Sequence, residues 1–232
     1  MNPIVELITA WDAFQNGHAG ATVKDFCRYY LNREEKQEPS KGNMPPDLDA
    51  TMANLIGRLG VMVEAYSKMA LQAEGDIELE WFYFMNTLYH QQESNKTDVI
   101  QYNIYGQSTG IDILNRIEKA GYIKERNNPD DKRARLVKLT SKGEKKVMKC
   151  REVLYKGAYL MFGGMDADDK QLIIQLLANT EIKHTGIFAE HKGESIDTLL
   201  ELVYGEHATE KVNTIQKGLK GKVLRKRGKV KV

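Results

Sequence analysis

The chain has 232 residues, of which 41% are hydrophobic and 28% charged, with a formal net charge of +2. It is long enough for one large domain or a core domain with additions, and too apolar to be wholly disordered. Cys27 and Cys150 are too few for a disulfide framework. No apolar run reaches the roughly 20 residues of a membrane span, and no basic segment followed by an apolar one opens the chain, so a cytoplasmic protein without a membrane partner is expected. The charge is unevenly spread: residues 201–232 hold nine Lys/Arg against three Glu, a surplus of +6 that leaves −4 for residues 1–200. Such a tail suits a polyanion partner, whose counterions Lys and Arg displace, or a solvated disordered segment.

In chain order, Ile4, Leu7, Ile8, Trp11 and Phe14 recur at helical spacing, as do Val23, Phe26, Cys27, Tyr30 and Leu31. Thr22 can cap the second of these helices, with Asp25 in its first turn. The stretch "EPSKGNMPPD" (38–47) has three prolines and a glycine and reads as a linker. Residues 1–47 are therefore expected to form an added helical arm and linker. From 48 to 74, Leu48, Met52, Leu55, Leu59, Met62, Tyr66 and Met69 follow alternating steps of four and three, a heptad seam flanked by Ile56, Val63 and Ala70. A helix of that span is about 40 Å long. It is either a core helix or one that also packs against a second subunit.

"LEWFYFMNTLYHQQ" predicts a short buried helix over about 79–92, and Ser94 or Asn95 can cap a helix of about two turns over "KTDVIQYN". "IYGQ" breaks it at Gly106. "STGIDILNRIEKAGYI" predicts the next helix, with Ile113, Leu114 and Ile117 inward and Gly121 at its end. Two short helices around a brief break predict a helix-turn-helix. Then Ile123–Arg126 reads as a strand, Asn127–Lys132 as a turn, and Ala134–Thr140 as a returning strand, which makes a wing. Ser141-Lys142-Gly143-Glu144 has capping-box spacing and opens a helix to about Phe162. Asp166 caps another, with Leu172, Ile173, Leu176 and Leu177 on its inner face. Ile196, Leu199, Leu200, Val203 and Tyr204 predict one more helix before the tail.

The turn "NNPDDKR" holds two aspartates but lacks the alternate oxygen ligands, central glycine and later bidentate acid of a calcium loop. Asp130 and Asp131 are adjacent and point different ways at a wet apex, which suits neither member for acid–base catalysis. His184 and His191 could share a helix face, yet no further Cys/His cluster completes a zinc set. No cofactor, metal or enzymatic constellation is therefore expected.

From about Glu78 to Thr180, and less specifically from Leu48, the sequence resembles the MarR-type winged helix regulators. The resemblance rests on Asp130-Asp131-Lys132-Arg133 followed by "LVKLTSKG", and on "STGIDILNRIEKAGYI". It implies a mainly α fold with a small β-wing: a winged helix-turn-helix on long dimerisation helices, here with an N-terminal arm and a basic tail added. The implied parts are a first dimerisation helix (48–76), a DNA-binding region (77–142), C-terminal dimerisation helices (143–204) and the tail (205–232). It also implies a homodimer on double-stranded DNA, with the second helix of the motif in the major groove and the wing in the minor groove.

Position by position, Gln107, Ser108 and Thr109 open the recognition helix, where side chains and free N–H groups reach base edges or phosphates. Gln107 can read adenine in a bidentate way; Ser108 can equally serve as a cap. Lys96 and Thr97 open the preceding helix and suit phosphate contacts. Arg133 matches the family's wing arginine, with Lys132 beside it and Asp131 as its intramolecular brace. Arg116 and Arg135 complete the expected DNA-binding set. Two departures stand out: Gly110 lies where the family usually has a β-branched core residue, and Asp112 near where many members have a base. The less basic recognition helix would shift affinity to the wing, to Lys142, Lys145, Lys146 and Lys149, and to the tail, unless those lysines form only a solvated face.

The resemblance further implies a small aromatic or lipophilic effector. Trp81, Phe82, Tyr83, Phe84, Met85 and Tyr89 would either line its crevice or simply pack the core. The expected function is thus a homodimeric regulator, a repressor relieved by a ligand, acting on a pseudo-palindromic operator. The alternative is a winged helix module used for protein assembly, with the arm and tail as docking segments.

Overall fold

The computed structural model describes residues 2–31, 47–75, 77–129 and 135–228, without side-chain placement for Ala73 and 220–228. The chain divides into two compact units, Met1–Thr51 and Met52–Val232. In the first, α1 (Pro3–Gln15) starts with Asn2, whose side chain accepts the Ile4 N–H at 3.0 Å. α2 (Val23–Leu31) starts with a reciprocal box: the Asp25 N–H donates to Thr22 Oγ1 at 3.3 Å, and the Thr22 N–H donates to Asp25 Oδ2 at 2.8 Å. The two helices pack through Phe14 and Phe26, both buried, with Trp11 edge-on to Phe26 at 5.0 Å. Ile4, Leu7 and Ile8, expected on the packed face, are exposed. The linker lies almost wholly outside the described residues.

α3 (Leu48–Leu71) ends in a 3-10 turn, Gln72–Glu74. Then follow α4 (Leu79–Gln91), β1 (Glu93–Asn95), α5 (Lys96–Tyr102), α6 (Gln107–Lys119), β2 (Ile123–Asn127), β3 (Arg135–Leu139), α7 (Ser141–Phe162), α8 (Ala167–Glu190), α9 (Ile196–Tyr204) and α10 (Ala208–Gly228). The sheet is antiparallel in the order β1-β3-β2. β1 escaped the sequence reading because three residues, Glu-Ser-Asn, carry no period-two signal. It adds a third strand by pairing Ser94 with Val137.

One core serves α4–α7 and the sheet. Phe84, Met85, Leu88, Val99, Ile100, Leu114, Ile117, Val137 and Val147 are all 0–1% exposed. Phe84 and Met85 are thus core residues, while Trp81, Phe82 and Tyr89 pack partly buried against them. The inner-face assignment for α8 does not hold within the subunit: Leu172, Ile173, Leu176 and Leu177 are exposed, and the helix has no buried residue. α3 is similar, with Leu71 its one buried residue.

The basic tail is helical over most of its length. Glu201 on α9 accepts the backbone N–H groups of Ala208 (3.2 Å) and Thr209 (3.0 Å), so one carboxylate caps the start of α10. These bonds hold the Glu201 carboxyl below its usual range, with the Thr209 N–H the leading cause.

Candidate nucleic-acid interface

α5, the turn Asn103–Gly106 and α6 form the helix-turn-helix. Two close fits fix its geometry. A Cβ on Gly110 would fall 2.5 to 2.9 Å from three side-chain atoms of Ile100, so α5 approaches α6 over a residue without a side chain. The departure at Gly110 is thereby explained: Ile100 occupies the volume that a branched residue at 110 would fill. The second fit is polar. Asn103 Nδ2 donates to Thr87 Oγ1 at 3.0 Å and to the Val99 carbonyl at 2.8 Å, and the Thr87 hydroxyl donates to the Tyr83 carbonyl at 3.1 Å. Thr87 is 4% exposed and Asn103 half-buried, so this knot ties the turn to α4. Asn103 was missed by sequence reasoning, although Asn after a short periodic segment is a helix-stop signal. Next to it, Ile104 has φ of +61°, an uncommon conformation for a β-branched residue.

Gln107, Ser108 and Thr109 occupy the first turn of α6 and are exposed. Gly106 is the N-cap and brings no side-chain hydrogen bond. Ser108 is therefore inside the helix and does not cap it. Four N–H groups in a first helical turn lack intrahelical acceptors, which makes this end electropositive despite its neutral side chains. Thr97, in the first turn of α5, is also exposed.

The cations divide differently from the expectation. Lys96 is paired with Glu125 on β2, and Arg135 reaches the same carboxylate at 3.4 Å. Lys96 thus braces the wing against α5, and Arg135 braces β3 against β2 within the wing. Arg116 is paired with Glu78 at the start of α4 and lies 5.3 Å from the centre of the Trp81 ring. It ties α6 to α4. Asp131, Lys132 and Arg133, the wing-tip residues, lie outside the described residues.

The wing joins α7 through another close approach. A Cβ on Gly143 would lie 2.1 Å from the Tyr122 carbonyl oxygen, and the Thr140 N–H donates to that same oxygen at 2.9 Å. The α7 cap is Thr140, whose Oγ1 accepts the Gly143 N–H at 3.1 Å. The expected Ser141 box is thus shifted one residue earlier, because Thr140 still belongs to the strand end that Tyr122 holds. The four lysines expected on one face of α7 also separate. Lys142 donates to the Ala120 carbonyl at 2.7 Å and covers the Tyr122 ring; Lys146 donates to the Glu74 carbonyl at 2.6 Å. Of these four, Lys145 and Lys149 are exposed and make no ion pair among the described residues. Cys150 is fully buried, and burial pushes its thiol up to about 11.

The residues that build this geometry coincide with a known domain. Residues 78–143 match the family model of a winged helix DNA-binding domain. Over 95 residues the chain is 26% identical to the uncharacterized HTH-type transcriptional regulator YdgJ of Bacillus subtilis, covering 40% of this chain and 57% of YdgJ. The chain spans about half the length of the curated relatives it matches. Among solved structures it is similar to BpsR of Bordetella bronchiseptica, whose DNA binding is regulated by 6-hydroxynicotinic acid. That match has a TM-score of 0.53 at 20% identity and covers 59% of this chain and 97% of BpsR. A MarR-family regulator from Rhodococcus sp. RHA1 superposes with a TM-score of 0.52 at 18% identity, covering 56% of this chain and 92% of that one.

Proposed function

We propose, from a chain that carries a winged helix DNA-binding domain and has the fold of the MarR-type regulators, that it is a transcriptional regulator binding double-stranded DNA as a homodimer. The observation that carries this reading is the open first turn of α6, with Gln107, Ser108 and Thr109 exposed beside a wing that Lys96 and Arg135 brace through Glu125. An α-helix fits the major groove, and Gln offers a bidentate partner to adenine. Arg133 would enter the adjacent minor groove, with Asp131 holding its guanidinium and Lys132 on a phosphate. Arg116 would act chiefly as a tie within the domain, through Glu78 and the Trp81 ring.

Dimerisation would use α3 and α8, whose apolar residues Met52, Leu55, Leu172 and Leu176 are exposed in a single subunit. A pseudo-palindromic operator follows from such a pair. Repression relieved by a small aromatic or lipophilic effector fits this reading, and BpsR supports it by responding to a small aromatic acid. The α10 helix would add sequence-independent attraction to flanking phosphates.

Arg133→Ala is expected to weaken operator binding by about 1 to 3 kcal/mol while leaving dimerisation intact. Fluorescence anisotropy at one fixed salt concentration, with sedimentation on the same samples, measures both; unchanged affinity removes the wing from the interface. The second reading, an assembly module, is favoured by one observation: Ile4, Leu7 and Ile8 on α1 are exposed. Deleting residues 1–45 should leave DNA binding unchanged under the first reading and abolish partner capture under the second.

A further inference from the structure

The outward face of the wing base carries an unbalanced concentration of positive charge. The β2–β3 register sets Lys124 directly opposite Lys138. Like charges placed opposite each other across a sheet destabilise it. β1 brings Glu93 to the other side of Lys138, but that carboxylate is engaged by Arg126, which donates from Nε to Oε1 at 2.8 Å and from Nη2 to Oε2 at 2.5 Å. Lys138 reaches the same carboxylate from 3.9 Å, so Glu93 serves two cations. Lys124 makes no ion pair among the described residues.

Across from this strand pair, α7 presents Lys145 and Lys149, one helical turn apart, a second like-charge pair on the same side. Lys142 and Lys146 are held elsewhere by backbone carbonyls. The two lysine pairs face one open groove of about 910 Å³ between the end of α4, the sheet and α7, whose lining includes the apolar side chains of Leu139 and Met148. Four ammonium groups and a single carboxylate, Glu144, line it.

We propose that this groove binds an organic or inorganic polyphosphate, with the diphosphate group between the two lysine pairs. The chemistry selects that class in two ways. All the cations are lysines, point charges that suit phosphate oxygens in several orientations, whereas a planar carboxylate is matched by an arginine fork. Two like-charge pairs on opposite walls are relieved together only by a ligand with more than one charged group. The site is separate from the α6 face and does not depend on the chain binding DNA.

The test is isothermal titration of the full chain with ADP and with pyrophosphate, at low and at physiological salt, on wild type, the K124Q/K149Q double variant and K156Q. Lys156 lies further along α7, is exposed, and does not line the groove. Both probes should bind wild type and K156Q alike, and the double variant should lose about tenfold or more, as expected for two charge-assisted contacts. Tighter binding of ADP than of pyrophosphate gives the nucleoside a contact of its own in the groove; equal binding assigns the groove to the phosphates alone. K124Q without ligand should melt no lower than wild type, because it removes a repulsion, which separates lost binding from lost fold. Absence of binding to wild type at low salt overturns the proposal, as does equal binding to the double variant. If the double variant weakens duplex DNA binding while neither probe binds, these lysines belong to a DNA surface instead.

Discussion

The winged core and the two long helices α3 and α8 are all rich in apolar residues, yet they use them oppositely. In α4–α7 and the sheet, apolar side chains close over one another until ten of them, Cys150 included, are 0–1% exposed. In α8 none is buried, and in α3 only Leu71 is. A region that completes its own core can be read from one chain; a region that leaves its apolar side chains exposed cannot be read the same way. The difference teaches that the winged domain should tolerate no change in volume, whereas the long helices should tolerate any change that spares their stripe.

The largest expected effect tests the first half of that contrast. Gly143→Ala would set a methyl group 2.1 Å from the Tyr122 carbonyl oxygen, which is backbone and cannot rotate away. A loss of about 3 kcal/mol or more in denaturant unfolding is expected, at the upper end of overpacking costs. Gly110→Ala meets flexible side-chain atoms of Ile100 instead and should cost about 1 to 3 kcal/mol, partly recovered by adding Ile100→Val. Gly57→Ala in α3 has nothing within 4 Å and should stabilise by up to about 1 kcal/mol. If all three glycines behave alike, the contrast between the regions fails.

Leu176→Glu tests the second half. Leu176 is 46% exposed in one subunit, so in a monomer the change should stay within about 0.5 kcal/mol. At the centre of a dimer contact it should cost about 2 kcal/mol of association or more. Sedimentation equilibrium alongside thermal melting reads both, and unchanged association places the contact away from the α8 stripe.

The same contrast decides what could be read in advance. Apolar spacing announced α3, α8 and α9, a capping-box spacing announced α7, and two short helices followed by a strand, turn and strand announced the helix-turn-helix and the wing, because spacing and short motifs survive without neighbours. What escaped was contact-defined. β1 exists only through its pairing with β3, and Asn103 matters only because Thr87 lies within reach. The charged residues were the least legible. Lys96, Arg116 and Arg135 looked free in sequence and are paired with Glu125 and Glu78, carboxylates distant in the chain. Lys142 and Lys146 looked like a solvated face and instead donate to backbone carbonyls. A long cationic side chain can reach many partners, so its position in sequence fixes its sign but not its use.

Cys150 gives a smaller, more local test of the closed core. It is 0% exposed, and its thiol is pushed up to about 11 by burial, so it stays protonated and unreactive at neutral pH. Iodoacetamide should label exposed Cys27 at once and Cys150 only as the core unfolds. Cys150→Ser places a hydroxyl in that site at a cost of about 1 kcal/mol or somewhat more. Prompt labelling of both cysteines in the native protein would mean that the α4–α7 packing opens readily.

The smallest effects come from two half-buried carboxylates, one in the winged core and one on α9. Glu93 is held below its ordinary value chiefly by its hydrogen bond to Arg126, and Glu201 chiefly by the Thr209 N–H. A depressed folded value means that the unfolded chain takes up the proton first. Each group therefore contributes stability that is complete above its ordinary value of 4.5 and is lost as pH falls through the lower folded value. Amide exchange followed from about pH 5 downward should show the two losses at different places. Protonating Glu93 should loosen the β1–β3 edge, where Arg126 and Lys138 share it. Protonating Glu201 should free the Ala208 and Thr209 amides while the winged core stays closed. Glu201→Gln should remove the second response and leave the first. If it removes both, the α9–α10 hairpin and the wing unfold as one unit, and the winged core is less self-contained than its burial implies.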